Sequence, residues 1–282
     1  MALAARVRAW ASPVVKPIVR RVRYRWADLA DRRSPTVVSG VPIPPTSLQR
    51  LNGPQEFVKV GATIAESLVR NAGLTAGEDV LDVGCGSGRV ALPLISILGT
   101  DGSYEGFDVV PEAVAWCQRR ITAAHPNFRF QLADVHSDHY HRAGTQTAET
   151  YVFPFADATF DLVFLTSIFT HLGADATENY LRQCARVLRP DGRLFATFFL
   201  MDEFAAAAVA AGSADRAFHP AADGAFTTNP RDPDAAVAHD ESTIRAILER
   251  SGMELPRPPL RGTWCGRPDG AGLQDVIVAH KA

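Results

Sequence analysis

Residues 80–91 read VLDVGCGSGRVA. An apolar run passes into three glycines at alternate positions, Gly84, Gly86 and Gly88. Glycine has no Cβ, so a turn of this kind lets backbone N–H groups come close to a ligand. The segment that follows, RVALPLISILG, reads as a helix with Pro93 in or near its first turn. The N-terminus of that helix adds partial positive charge, which suits a phosphate or a carboxylate. Spacing separates the two. A dinucleotide fingerprint runs G-x-G-x-x-G/A, whereas here Arg89 holds the last place and the glycines run G-x-G-x-G.

On both sides of the turn, short β-like runs alternate with helix-like runs. FVKVGATIAESLVRNAGL predicts a helix ending near Gly73, and DVLDVG a buried strand. SYEGFD predicts a second strand, PEAVAWCQRRITAAH a helix opened by proline, and FRFQLAD a third strand. FDLVFLTS predicts a fourth strand buried on both faces, ATENYLRQCARVLRP a helix, and GRLFATFFL a fifth strand after the turn RPDG. ESTIRAILERSG adds a helix and LQDVIVAHK a final strand. Strands separated by helices of this length predict a parallel sheet covered on both faces. Two domain-level pieces follow. Residues 1–55 are a basic, then Pro-rich, N-terminal extension. Residues 56–282 are the main domain, with an insertion at about 200–238 where MDEFAAAAVAAG runs into a Pro/Asp-rich loop. No internal repeat is visible.

Composition sets limits on function. The chain has 282 residues, 46% of them hydrophobic, enough for one large core. The net charge of −2 does not suggest nucleic acid as a partner. The charge is unevenly spread. Residues 1–27 hold Arg6, Arg8, Lys16, Arg20, Arg21, Arg23 and Arg25 with no acid, which leaves about −9 on the rest. Within that basic start, apolar residues from Leu3 to Trp26 recur about every fourth position, interrupted by Pro13 and Pro17. Two readings stand: a lid or dimer arm packed on the core, or a segment in peripheral contact with an anionic membrane surface. No apolar run reaches the roughly 20 residues of a membrane span, and the start is no good secretory signal. Cys85, Cys117, Cys184 and Cys265 form no CxxC pair, so free thiols in a reducing cytoplasm are expected.

LDVGCGSG matches, nearly residue for residue, the first motif of the class I S-adenosylmethionine-dependent methyltransferases. The chain resembles that family, in its bacterial small-molecule form, over about residues 56–200. The resemblance implies a Rossmann-like three-layer α/β/α sandwich with a seven-stranded, mostly parallel sheet and an antiparallel last strand. It implies S-adenosylmethionine as cofactor, with Asp82, Gly84, Cys85, Gly86 and Gly88 at its methionine part. An acid about 20 residues after the turn can accept hydrogen bonds from both ribose hydroxyls. Asp108, followed by Val109, takes that place, and Glu105 inside the strand is the less well placed rival. By the same resemblance Asp134 accepts from the adenine amino group beside the Val135 backbone. Thr166 lies in a fourth motif, FDLVFLTSIFTHL.

The resemblance leaves the acceptor open, since this fold serves many substrates. His171 follows the fourth strand and is the candidate general base for a hydroxyl acceptor, with a packed or capping histidine as the other reading. Trp264 and Arg267 are candidates to stack on and hydrogen-bond a polar ring, or else Trp264 covers the core edge. DVHSDHYH gathers His136, His139 and His141 near Asp134 and Asp138, but lacks a clear multi-carboxylate set, so no metal is expected. The expected activity is methyl transfer to a small molecule, by preference O-methylation of a sugar or natural product. The alternatives are N- or C-methylation, and a non-catalytic S-adenosylmethionine-binding regulator. The oligomeric state is not specified by these residues.

Overall fold

Seven strands form the central sheet: β1 (Asp79–Val83), β2 (Ser103–Asp108), β3 (Phe128–Leu132), β4 (Phe160–Leu165), β5 (Leu188–Phe198), β6 (Met253–Glu254) and β7 (Asp275–Lys281). The computed structural model describes residues 35–52, 56–221 and 224–282, so the basic stretch read in residues 1–27 lies outside the described residues. The spatial order is β6-β7-β5-β4-β1-β2-β3. β1 pairs in parallel with β2 and β4, and β4 in parallel with β5. β7 runs antiparallel to both β5 and β6. The chain therefore winds outward from β1 to one edge, returns, and winds to the other edge. A crevice opens at the carboxyl ends of the strands where the winding reverses, between β1 and β4.

Helices α1 (Phe57–Ala72), α2 (Ala91–Leu98), α3 (Pro111–Cys117), α4 (Ala174–Val187), α5 (Glu203–Ala210) and α6 (Glu241–Arg250) connect the strands. Period-two patterning divides the sheet between two cores. Val80, Leu162 and Phe164 point to one face, where they meet Leu68 of α1, Leu92 of α2 and Val114 of α3. Leu81, Val83, Val163 and Leu165 point to the other, against Leu181 of α4 and Leu248 of α6. Each fully buried aliphatic side chain contributes about 1.5–3 kcal/mol. Local chemistry sets the helix ends. Gly73 at φ 67° closes α1, donating its N–H to the Leu68 carbonyl, and Pro111 opens α3. The helix read over PEAVAWCQRRITAAH continues past Cys117 as a five-residue π-helical turn, Gln118–Thr122.

The segment read as a loop-rich insertion forms a cap with its own structure. A four-stranded sheet takes the order Leu200–Met201, Val237–Asp240, Phe226–Thr227, His219–Pro220. α5 starts on Asp202, whose side chain accepts from the Ala205 N–H at 2.9 Å. Phe199, Met201, Ala205, Phe218, Ala238 and Trp264 make a third apolar cluster within it. The start of β7 pins this cap. Asp275, 1% exposed, accepts from the Leu200 N–H at 2.9 Å, the Gly262 N–H at 2.8 Å and Trp264 Nε1 at 2.7 Å. The four cysteines are free and buried, and no described helix is long and apolar enough to cross a membrane.

Candidate active site

The glycine turn occupies the crevice predicted by the winding. Gly84, Gly86 and Gly88 have φ values of 82°, 54° and 79°, a region side chains rarely adopt. The Gly84 and Cys85 N–H groups both donate to the Phe107 carbonyl, at 2.9 and 3.1 Å, which ties the turn to the end of β2. A Cβ on Gly84 would overlap the Ile168 side chain, and one on Gly88 would sit 2.6 Å from Ile121 Cδ1. Ser87 donates to the Leu48 carbonyl at 3.2 Å, so the stretch before α1 packs against the same turn.

The turn lines a cavity of about 680 Å³. Asp82, Gly84, Cys85, Gly86, Asp108 and Val109 all line it, as do Val135, Thr166 and His171. Gly88 is buried beneath the turn without lining the cavity. Asp108 is held by the Gly86 N–H on Oδ2 at 2.7 Å and the Val110 N–H on Oδ1 at 2.9 Å. Burial raises its pKa, while these backbone donors and that of Val109 pull it down. Each oxygen keeps a lone pair for a further donor. Glu105 pairs instead with Arg129 at 2.5 Å along the sheet and does not line the cavity.

Asp82 is 2% exposed and its Oδ2 accepts from the Tyr104 hydroxyl at 2.6 Å. Among the described residues its Oδ1 has no hydrogen-bond partner. Burial pushes its pKa up to about 7, opposed by Tyr104, assisted by Asp108 and opposed again by Arg89. An orphaned buried carboxylate oxygen near a second, half-buried carboxylate is a poor neighbour for a pyrophosphate. It suits a ligand that brings cationic groups, as S-adenosylmethionine does with its ammonium and sulfonium. The close backbone approach and this set of polar groups therefore fit that cofactor.

Three sequence-based expectations meet a different placement. Asp134 does not line the cavity. Its Oδ1 accepts the Thr145 N–H at 3.1 Å and its Oδ2 accepts the Thr145 hydroxyl, so the carboxylate braces its own loop while neighbouring Val135 reaches the cavity. Trp264 is fully buried, stacked edge-on against Phe199 and Phe218, and holds the cap together instead of offering a face to an acceptor. Arg267 pairs with Asp202 and lies 4.3 Å over the Phe204 ring, also away from the cavity.

The acceptor side of the crevice lies over β4, β5 and β7. At the end of β4, Ser167 takes φ 60°, unusual for a residue with a side chain, and its N–H donates to Thr197 Oγ1 at 2.8 Å. This bend aims Ile168 and the short 3₁₀ turn Phe169–His171 across the cavity. His171 Nδ1 lies 2.7 Å from the Asp234 carbonyl oxygen of the cap. His139 Nε2 lies 2.8 Å from Asp232 Oδ1, which links the 136–140 loop to the cap. Among the described residues, no three His, Cys, Asp or Glu side chains gather as a metal site. Phe199, Arg216 and Gln274 also line this side, and none of the three was singled out from the sequence.

Comparison with known proteins places this geometry. Residues 80–192 match a family described as a methyltransferase domain. Over 128 residues the chain is 31% identical to the 27-O-demethylrifamycin SV methyltransferase of Amycolatopsis mediterranei (strain S699), covering 45% of this chain and 41% of that one. The chain thus spans less than half the length of that curated relative. A SAM-dependent methyltransferase from Aquifex aeolicus shares the fold at TM-score 0.52 and 19% identity, covering 85% of this chain and 99% of that one. Magnesium protoporphyrin IX methyltransferase from Synechocystis PCC 6803, solved with bound SAH, does so at TM-score 0.51 and 17% identity, covering 83% and 92%. Fold and glycine turn together define an α/β crevice at the carboxyl ends of β1 and β4. Residues 80–192 thus match a methyltransferase domain, and the chain shares its fold with solved S-adenosylmethionine-dependent methyltransferases.

Proposed function

We propose that the protein transfers the methyl group of S-adenosylmethionine to a hydroxyl of a small molecule such as a sugar or natural product. Bound in the crevice, the cofactor supplies an electrophilic methyl on a sulfonium. The residues of the chain bind, orient and deprotonate. Asp82 and the glycine turn hold the methionine part, and Asp108 the ribose. Much of the barrier reduction comes from alignment of the two reactants in a closed crevice, for which the cap supplies the outer wall.

The observation that carries an oxygen acceptor is the contact between His171 Nδ1 and the Asp234 carbonyl at 2.7 Å. A carbonyl only accepts, so Nδ1 carries a proton, and in the neutral ring the lone pair is then on Nε2. That is the tautomer a general base needs, fixed by the cap and placed where β4 ends. A relative named for an O-demethylated substrate agrees with oxygen as the acceptor atom. The test is His171→Ala, assayed for S-adenosylhomocysteine release with a panel of hydroxylated acceptors. The expected result is a fall in kcat of about 10²–10⁴ with S-adenosylhomocysteine affinity unchanged. Unchanged turnover removes His171 from the mechanism. Absence of methyl transfer to any acceptor, with binding intact, favours a regulatory module.

A further inference from the structure

We propose that the acceptor carries an oxyanion group, carboxylate or phosphate, and that Arg216 binds it. The proposal rests on the methyltransferase reading above and names a chemical class for the acceptor. Arg216 lines the cavity from the cap, with its guanidinium carbon 5.2 Å from the centroid of the Phe199 ring. Phe199 directly follows β5, so stacking on it holds the planar fork over the acceptor side of the crevice. Among the described residues Arg216 makes no ion pair and no hydrogen bond. Three other arginines around the cap are committed, Arg261 to Glu241 at 2.7 Å, Arg245 to Glu241 at 2.7 Å, and Arg267 to Asp202, while Arg231 is exposed and does not line the cavity.

The cavity is divided electrostatically. Asp138, His139, Asp232, Asp234 and His171 group together where the 136–140 loop meets the cap. These carboxylates face histidines, and none comes within ion-pair distance of Arg216. The same wall also offers donors. Ser167 Oγ donates to Gln274 Oε1 at 3.1 Å, which leaves the Gln274 amide N–H groups for a ligand. The Thr170 hydroxyl, in a residue 1% exposed, has no partner among the described residues and lines the same cavity. A half-buried guanidinium without a carboxylate, in a cavity that holds further donors, is complementary to an oxyanion that arrives with the substrate. The anion at Arg216 and the reacting hydroxyl at His171 then fix the acceptor at two points, which is what in-line attack requires.

The test uses the full chain loaded with S-adenosylhomocysteine. Hydroxylated aromatics and sugars are titrated calorimetrically in matched sets of three: the carboxylate, the phosphate monoester, and the neutral methyl ester. The expected result is that the charged members of at least one set bind at least tenfold more tightly than the ester. Arg216→Gln should abolish that difference without changing S-adenosylhomocysteine affinity, and Arg216→Lys should retain part of it. Comparing the carboxylate and phosphate arms identifies which oxyanion is read. The proposal is overturned if no set favours a charged member in the wild type, or if the preference survives Arg216→Gln. A protein that fails to bind S-adenosylhomocysteine overturns the methyl-donor reading instead, and the same sets run without it still report on Arg216.

Discussion

Replacing Asp82 by Asn should make the unliganded protein more stable at pH 8 while weakening its hold on the cofactor. In the folded protein burial pushes the Asp82 pKa up to about 7, from an ordinary 3.8. Between those values the folded chain keeps a proton that the unfolded chain has released. Stability therefore falls as pH rises through that window, and the loss is complete above about pH 7. At 1.36 kcal/mol per unit, the loss reaches about 4 kcal/mol. Asn does not titrate, so the variant escapes the whole of it. Any fixed penalty from the new amide N–H groups, about 1–3 kcal/mol, shifts the comparison by a constant and leaves its slope alone. The assay is urea unfolding of both proteins without ligand at half-unit steps from pH 4.5 to 8. The other carboxylates contribute nearly equally to both, so the difference curve isolates Asp82. It should rise by several kcal/mol in favour of Asp82→Asn across the range. A flat difference curve would refute the reasoning, because the orphaned oxygen would then not carry a buried charge.

Three further outcomes follow from the geometry. Gly84→Ala places a Cβ into Ile168 at φ 82° and should abolish S-adenosylhomocysteine binding by calorimetry, with about 1–3 kcal/mol of strain appearing as a lower Tm. Trp264→Ala should destabilise the fold by about 3–5 kcal/mol in denaturant titration, since the side chain is fully buried; a loss under 1 kcal/mol would mean the cap does not depend on it. Asp134→Asn should leave S-adenosylhomocysteine affinity within about threefold, under half a decade on the affinity scale, because its carboxylate serves Thr145; a tenfold loss would return it to the adenine site.

What the sequence disclosed, and what it hid, separates by range of interaction. The turn and the order of the main strands are local facts. VLDV is short, apolar and followed at once by Gly84, and SYEGFD corresponds to β2 from Ser103 to Asp108. The cap strands Leu200–Met201, His219–Pro220 and Phe226–Thr227 are two residues each, too short to show alternation. β6 was hidden for the same reason. Trp264 looked like a loop aromatic because its burial depends on Phe199 and Phe218, far away in the chain, and on Asp275 across a Gly-rich loop. Arg216 carried no signal at all. Its lack of a partner becomes visible only once Asp202 and Glu241 are seen to serve other arginines.

Asp275 gathers three N–H groups, one from the start of the cap, one from the loop before β7 and one from the Trp264 indole. The cap has a sheet and an apolar cluster of its own, so it resembles a part that could be exchanged between enzymes to change the acceptor. The lock for that part, however, lies in the last strand, more than 30 residues beyond it in the chain. An exchange that moved only the contiguous cap would keep a backbone N–H for Asp275 but leave the Trp264 ring, which Asp275 holds, against side chains that replace Phe218 and do not match it. The cap and the loop that leads into the final strand are therefore one packing unit drawn from two separated stretches of chain.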